Sequence, residues 1–124
     1  MDLYELPFAK IIILDENLAE VIINEGIEMD INMVEQYHEF LLSHLQPPFS
    51  LLINKVNSYT YEFYAQLELA TLKEIKAMAV IAYNRVTKNT TETLALYPRS
   101  NAWNLKVFNA REEALAWIEE ENEI

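Results

Sequence analysis

The spacing of apolar and polar positions changes several times along this chain, and each change marks an element. Residues 8 to 14 and 18 to 24 are rich in β-forming side chains, and Asp15-Glu16-Asn17 between them has turn composition, so the two runs predict a hairpin. The second run ends at Asn24-Glu25-Gly26, where the only glycine of the chain makes a sharp turn with φ > 0 inexpensive. Asp30 then offers an N-cap. From there a 3.6-residue period puts Ile31, Val34, Tyr37, His38, Leu41, Leu42 and Leu45 on one stripe, the core face of a helix that Gln46-Pro47-Pro48 stops. Phe49 to Asn54 lacks strict alternation, as a covered central strand does.

After Lys55 to Thr60, a second helix is predicted from Tyr61 to Lys73, with Tyr61, Ala65, Leu69 and Leu72 on its buried side. Ala77 to Tyr83 predicts another buried strand. Residues 85 to 97 carry conflicting signals: Asn89-Thr90-Thr91 lowers helix propensity, while Thr93-Leu94-Ala95-Leu96 fits a short helix before Pro98. Trp103 to Phe108 reads as the last strand. It leads into an amphipathic helix capped by Asn109 with Glu112 and docked through Ala114, Leu115, Trp117 and Ile118. Strands separated by helical stretches need crossover connections, which wind a parallel sheet right-handed, and the hairpin makes the sheet mixed. The expected fold is therefore α/β, a single domain over residues 1 to 124. Its sheet is mixed, of about five strands with an N-terminal antiparallel hairpin, and its helices lie mainly on one face.

This order of elements resembles the SpoIIAA-like fold of STAS domains and their SEC14-like relatives. The resemblance rests on the strand Ser50-Leu51-Leu52-Ile53-Asn54 with its following loop, and on Val107-Phe108 leading to Glu112-Glu113-Ala114-Leu115-Ala116-Trp117-Ile118. It implies a binding role: anti-sigma-factor antagonists of this kind dock on a partner kinase, and a Ser or Thr in the loop before the second helix is phosphorylated to release it. Here that loop holds Asn57-Ser58-Tyr59-Thr60, which makes Ser58 and Thr60 the candidate phosphoacceptors. The Asp-Ser-Ser-Gly-Leu type motif is missing, and no glycine follows Ser58.

Composition narrows the function classes. The formal charge of −11 disfavours phosphate backbones and anionic lipid surfaces, so neither nucleic acid nor membrane partners are expected. The apolar runs Ile11 to Leu14 and Ala77 to Tyr83 fall far short of the ~20 residues that cross a bilayer. Without cysteine there is no disulfide frame, thiol nucleophile or cysteine metal site, which fits a cytoplasmic protein. The start has neither a basic n-region nor an apolar h-region, and no secretion is expected.

Candidate chemistry is sparse. Glu35 and His38 have a Glu-x-x-His spacing, but a dinuclear carboxylate site needs a second copy on a four-helix bundle. No metal or other cofactor is expected. One glycine cannot build a phosphate-binding loop, and no Gly-x-Ser-x-Gly turn accompanies the two histidines, so no catalytic residue is assigned and the protein is read as a non-enzyme. Aromatic residues say more. Tyr59, Tyr61, Phe63 and Tyr64 outnumber what one buried stripe holds, and Met33 and Phe40 flank the first helix's core stripe with Tyr37 at its margin. Met33, Tyr37, Phe40, Tyr61 and Tyr64 are accordingly the candidate interface or pocket mouth. The leading expectation is an interaction domain that binds a protein partner or itself as a homodimer. The alternative is a site for a small apolar or lipid-like ligand between the sheet and the aromatic helices, which a closed apolar cavity would favour.

Overall fold

A central strand, the stretch Phe49–Asn54, organises the molecule. The computed structural model describes residues 2 to 96 and 103 to 123. In chain order the elements are β1 (Asp2–Leu6), β2 (Ala9–Asp15), β3 (Leu18–Ile23), β4 (Glu28–Met29), α1 (Ile31–His44) and β5 (Phe49–Asn54), followed by β6 (Thr60–Tyr61), α2 (Phe63–Glu68), β7 (Ile75–Ile81), α3 (Arg85–Ala95), β8 (Leu105–Phe108) and α4 (Arg111–Asn122). Six strands form one sheet in the order β1-β2-β3-β5-β7-β8. β1, β2 and β3 pair antiparallel, and β3, β5, β7 and β8 run parallel. The sheet is thus mixed with an antiparallel N-terminal hairpin, as expected. It gains β1 at its edge, and β4 pairs with β6 in a separate parallel ribbon.

Side chains alternate across the central strands and build two cores. On one face Val21, Phe49, Leu51 and Met78 pack under Val34, Tyr37 and Leu41 of α1, Ala65 of α2 and Leu94 of α3. On the other, Leu52, Ala79 and Ile81 are covered by Ala114 and Ile118 of α4. Among the described residues, three helices cover the first face and α4 the second. Asp30 caps α1 as its sequence predicts, its carboxylate accepting the Met33 N–H at 2.9 Å. Gly26 turns the chain with φ 78°, and its N–H donates to the Ser58 carbonyl.

Three elements differ from expectation. Tyr61 does not open a helix: it pairs with Met29 in the β4–β6 ribbon, where the Glu62 N–H donates to the Met29 carbonyl, so α2 begins at Phe63 and ends before Leu72. Residues 85 to 95 form one continuous helix: Asn84 caps it through Thr87, Thr91 and Leu94 are buried, and the Thr90 and Thr91 hydroxyls bond to the Val86 and Thr87 carbonyls. Pro98, its expected stop, lies outside the described residues. The Asn109–Glu112 capping box does not form. Ala110 holds the N-cap position without a capping side chain, leaving Asn109 one residue too early, and Glu112 and Glu113 complement the first turn's dipole instead.

Candidate functional site

The parallel half of the sheet and the helices on its first face do not close completely. Val21, Ile53, Val80 and Leu105 form the floor of a cavity roofed by Tyr37 of α1, Leu69 and Ala70 after α2, and Leu94 of α3. Its free volume is about 40 Å³, room for a few water-sized groups, and its walls are apolar. Beside it a recess of about 550 Å³ opens between the β6 segment and α3, walled by Thr60, Gln66, Asn89, Thr90 and Thr93. Lys55, Tyr59, Tyr61 and Leu94 line both spaces and therefore mark the junction.

Lys55 follows the carboxyl end of β5, a place where open α/β sheets commonly bind ligands. Its backbone N–H donates to the Ile81 carbonyl, which anchors the residue to β7. Its ammonium lies 5.4 Å from the Tyr59 ring centroid and 5.9 Å from that of Tyr61. Among the described residues no carboxylate comes within ion-pair distance of it. Burial alone lowers its pKa from 10.5 to about 8. The phenols behave oppositely: burial, aided by Tyr61 nearby, raises the pKa of Tyr37 and of Tyr59, so both keep their protons at physiological pH. Tyr61 donates a long hydrogen bond to the Tyr59 oxygen at 3.5 Å.

A second feature stiffens the cavity wall. Ala70 has φ 53°, a left-handed conformation that a residue with a Cβ adopts only when it is held there. Both of its backbone groups are tied: its N–H donates to His38 Nε2 at 3.0 Å, and its carbonyl accepts the Trp103 indole N–H at 3.0 Å. His38 acts here as a neutral acceptor, with its proton on Nδ1 by the hydrogen-bond pattern. Burial lowers its pKa from 6.5 to about 4. The unfolded chain therefore takes up this proton as pH falls through 6.5, while the folded chain resists it to about 4, so the stabilisation present above pH 6.5 is lost on acidification through that window. Discounted for partial exposure of the ring, the loss is about 2 kcal/mol by pH 4. His38→Gln keeps an acceptor but does not titrate. Its denaturant-derived stability should fall less than wild type between pH 7 and 4.5, and an identical fall would remove His38 from the account.

The residues singled out in the sequence are scattered. Tyr37 is 3% exposed and, with Tyr61, lines the cavity. Met33 and Phe40 are partly buried against the first core, Phe40 stacking on His44 at 3.9 Å and meeting Tyr4 edge-on at 5.3 Å. Tyr64 is exposed, beside exposed Phe63. These five therefore do not form one surface. Ser58 and Thr60 are both exposed. The Ser58 N–H donates to Glu25 Oε1, and Thr60 pairs with Glu28 in the ribbon, so each lies in an acidic neighbourhood. The residue the sequence reading passed over is Lys55. Its signal was a single cation directly after an apolar central strand, with tyrosines four and six positions on.

A solved structure of an uncharacterised protein of the DUF3478 family from Shewanella loihica PV-4, described as having a SpoIIAA-like fold, superposes with a TM-score of 0.58 over 94% of this chain and 90% of that one. This chain has that fold. Sequence identity between the two is 16%, so the likeness concerns the SpoIIAA-like architecture alone. No family model and no curated protein matches the chain. Among the described residues, no helix is long and apolar enough to cross a membrane, and no group of three or more His, Asp or Glu is placed to hold a metal.

Proposed function

We propose that this SpoIIAA-like chain is a non-enzymatic binding domain that holds a small ligand between the parallel strands and helices α1, α2 and α3. The observation that carries this reading is that the apolar cavity and the larger recess lie side by side and share Lys55, Tyr59, Tyr61 and Leu94 in their walls. Such a space takes the apolar end of a ligand inward and leaves its polar end among hydroxyl and amide groups, the usual division of labour in small-molecule sites. The Lys55 ammonium supplies donors there that would fix a ligand's orientation. Titration with hexan-1-ol, followed by methyl NMR, tests the reading. Shifts confined to Val21, Ile53, Val80 and Leu94 are expected, and unperturbed methyls at millimolar alcohol would reject it.

A second reading, association with a protein partner or a second copy of the chain, rests on the exposed pair Phe63 and Tyr64 of α2, which are 62% and 67% exposed with rings 5.3 Å apart. Phe40, packed on His44 and Tyr4, is a poor probe of that surface because a charge there would disturb folding. Tyr64→Asp is the better one. Light scattering should show a concentration-dependent dimer that this variant weakens, and a wild-type mass that stays monomeric at every concentration would dispose of self-association.

A further inference from the structure

The least expected group at the site is the ammonium of Lys55. A lysine at the end of a strand ordinarily reaches water, and a buried one ordinarily meets a carboxylate, since burying an uncompensated charge is unfavourable. Lys55 is partly buried, lies over the faces of Tyr59 and Tyr61, and has no carboxylate in reach among the described residues of a chain that carries 20 acidic side chains. The tyrosine faces soften this cost without neutralising the charge. Lys55 also lines both the apolar cavity and the polar recess, so an occupant spanning the two spaces lies beside it.

Resting on the ligand-binding reading above, we propose that the occupant is a small organic monoanion, a carboxylate with a short apolar tail. The carboxylate lies against Lys55, and the tail reaches the inner cavity with its end. Charge matching favours a carboxylate over a phosphate monoester. One cation lines the junction among the described residues, so the second charge of a phosphate would be left without a partner in a partly desolvated site of a chain with net charge −11. Further donors surround the same point. The Tyr59 and Tyr61 hydroxyls share one long hydrogen bond at 3.5 Å, and Asn89 and Thr93 line the recess from α3. The cavity's about 40 Å³ admits one or two carbons, so the rest of the tail lies in the adjoining recess.

Calorimetric titration of the wild-type protein with hexanoate, hexan-1-ol, hexylammonium and hexyl phosphate, repeated on Lys55→Met, tests the assignment. Hexanoate should bind at least about tenfold more tightly than hexan-1-ol, the worth of one charge-assisted hydrogen bond. Hexylammonium should not bind, and hexyl phosphate should be weaker than hexanoate. Lys55→Met should lose the preference for hexanoate while keeping its affinity for the alcohol, which also reports that the variant's pocket is intact. Should that variant fail to fold, the four wild-type titrations decide by themselves. Equal binding of hexanoate and hexan-1-ol, or unchanged hexanoate affinity in Lys55→Met, overturns the anion while leaving the pocket. Tighter binding of hexyl phosphate overturns the carboxylate. Failure of all four probes to bind overturns the pocket reading and this proposal together.

Discussion

Ile118→Ala is expected to destabilise the fold by about 3 kcal/mol, and Trp117→Ala by no more than about half of that. The sequence names Ala114, Leu115, Trp117 and Ile118 as the docking residues of the terminal helix, and the structure buries Ala114 and Ile118 most deeply. Ile118 is 1% exposed and packs with Ala114 against Leu52, Ala79 and Ile81, each 1% exposed or less. Trp117 lies at the margin, partly exposed, its ring tilted against Phe108 at 5.8 Å. Because α4 is the one helix over this face among the described residues, removing the Ile118 side chain opens a void in the centre of this core. The strand backbone beneath it is fixed by pairing on both sides. Urea unfolding of both variants is the measurement. A larger loss in Trp117→Ala would mean that the helix docks through its other edge.

Arg111→Met should cost about 2–3 kcal/mol, through what it leaves behind and not through the lost cation itself. Glu20 points to the same face as α4, with its side chain 6% exposed. Both of its oxygens are occupied: Oε1 accepts from Arg111 at 2.7 Å, and Oε2 accepts the Asn54 amide at 3.0 Å, whose own oxygen accepts the Tyr83 hydroxyl. Removing the guanidinium strands a buried carboxylate on one neutral donor. The arginine is 46% exposed, so water screens the pair and the effect falls below that of a fully buried bridge. Adding Glu20→Gln to Arg111→Met should recover most of the loss, since a neutral amide is easier to bury. If the double variant is no more stable than the single one, desolvation of Glu20 is not the cause.

The central strands and α1 were legible because their signals are local and agree with one another. Phe49 to Asn54 has no polar side chain except Ser50 and Asn54, and Asp30 and Pro47-Pro48 bracket α1 at both ends. β1 was not legible, because Asp2–Leu6 is a half-exposed edge whose conformation is decided by pairing with β2, a tertiary effect that overrides propensity. Tyr61 misled for a similar reason: its helical spacing to Ala65 is real, but the partner that claims its backbone, Met29, is remote in sequence. The candidate site was half legible. The excess of tyrosines around position 60 pointed to the right region, yet the pattern gave no means of telling that Tyr59 and Tyr61 fold over Lys55 whereas Phe63 and Tyr64 face solvent. Burial of a lysine is a property of the assembled walls.

The strand that the sequence hid has a consequence for the chain's behaviour in a crowded solution. β2 carries Ile11-Ile12-Ile13-Leu14, a run with strong tendency to recruit further strands if its backbone edge were open. β1 occupies that edge along the register Asp2↔Ile13 to Leu6↔Ala9, and in doing so replaces a greasy border with a short one bearing Asp2 and Glu5 and ending at Pro7. Carboxylates repel an incoming copy of the same acidic chain, and proline has no N–H with which to continue a ladder. β1 therefore covers the backbone edge of the isoleucine-rich strand and sets two carboxylates on the border in its place.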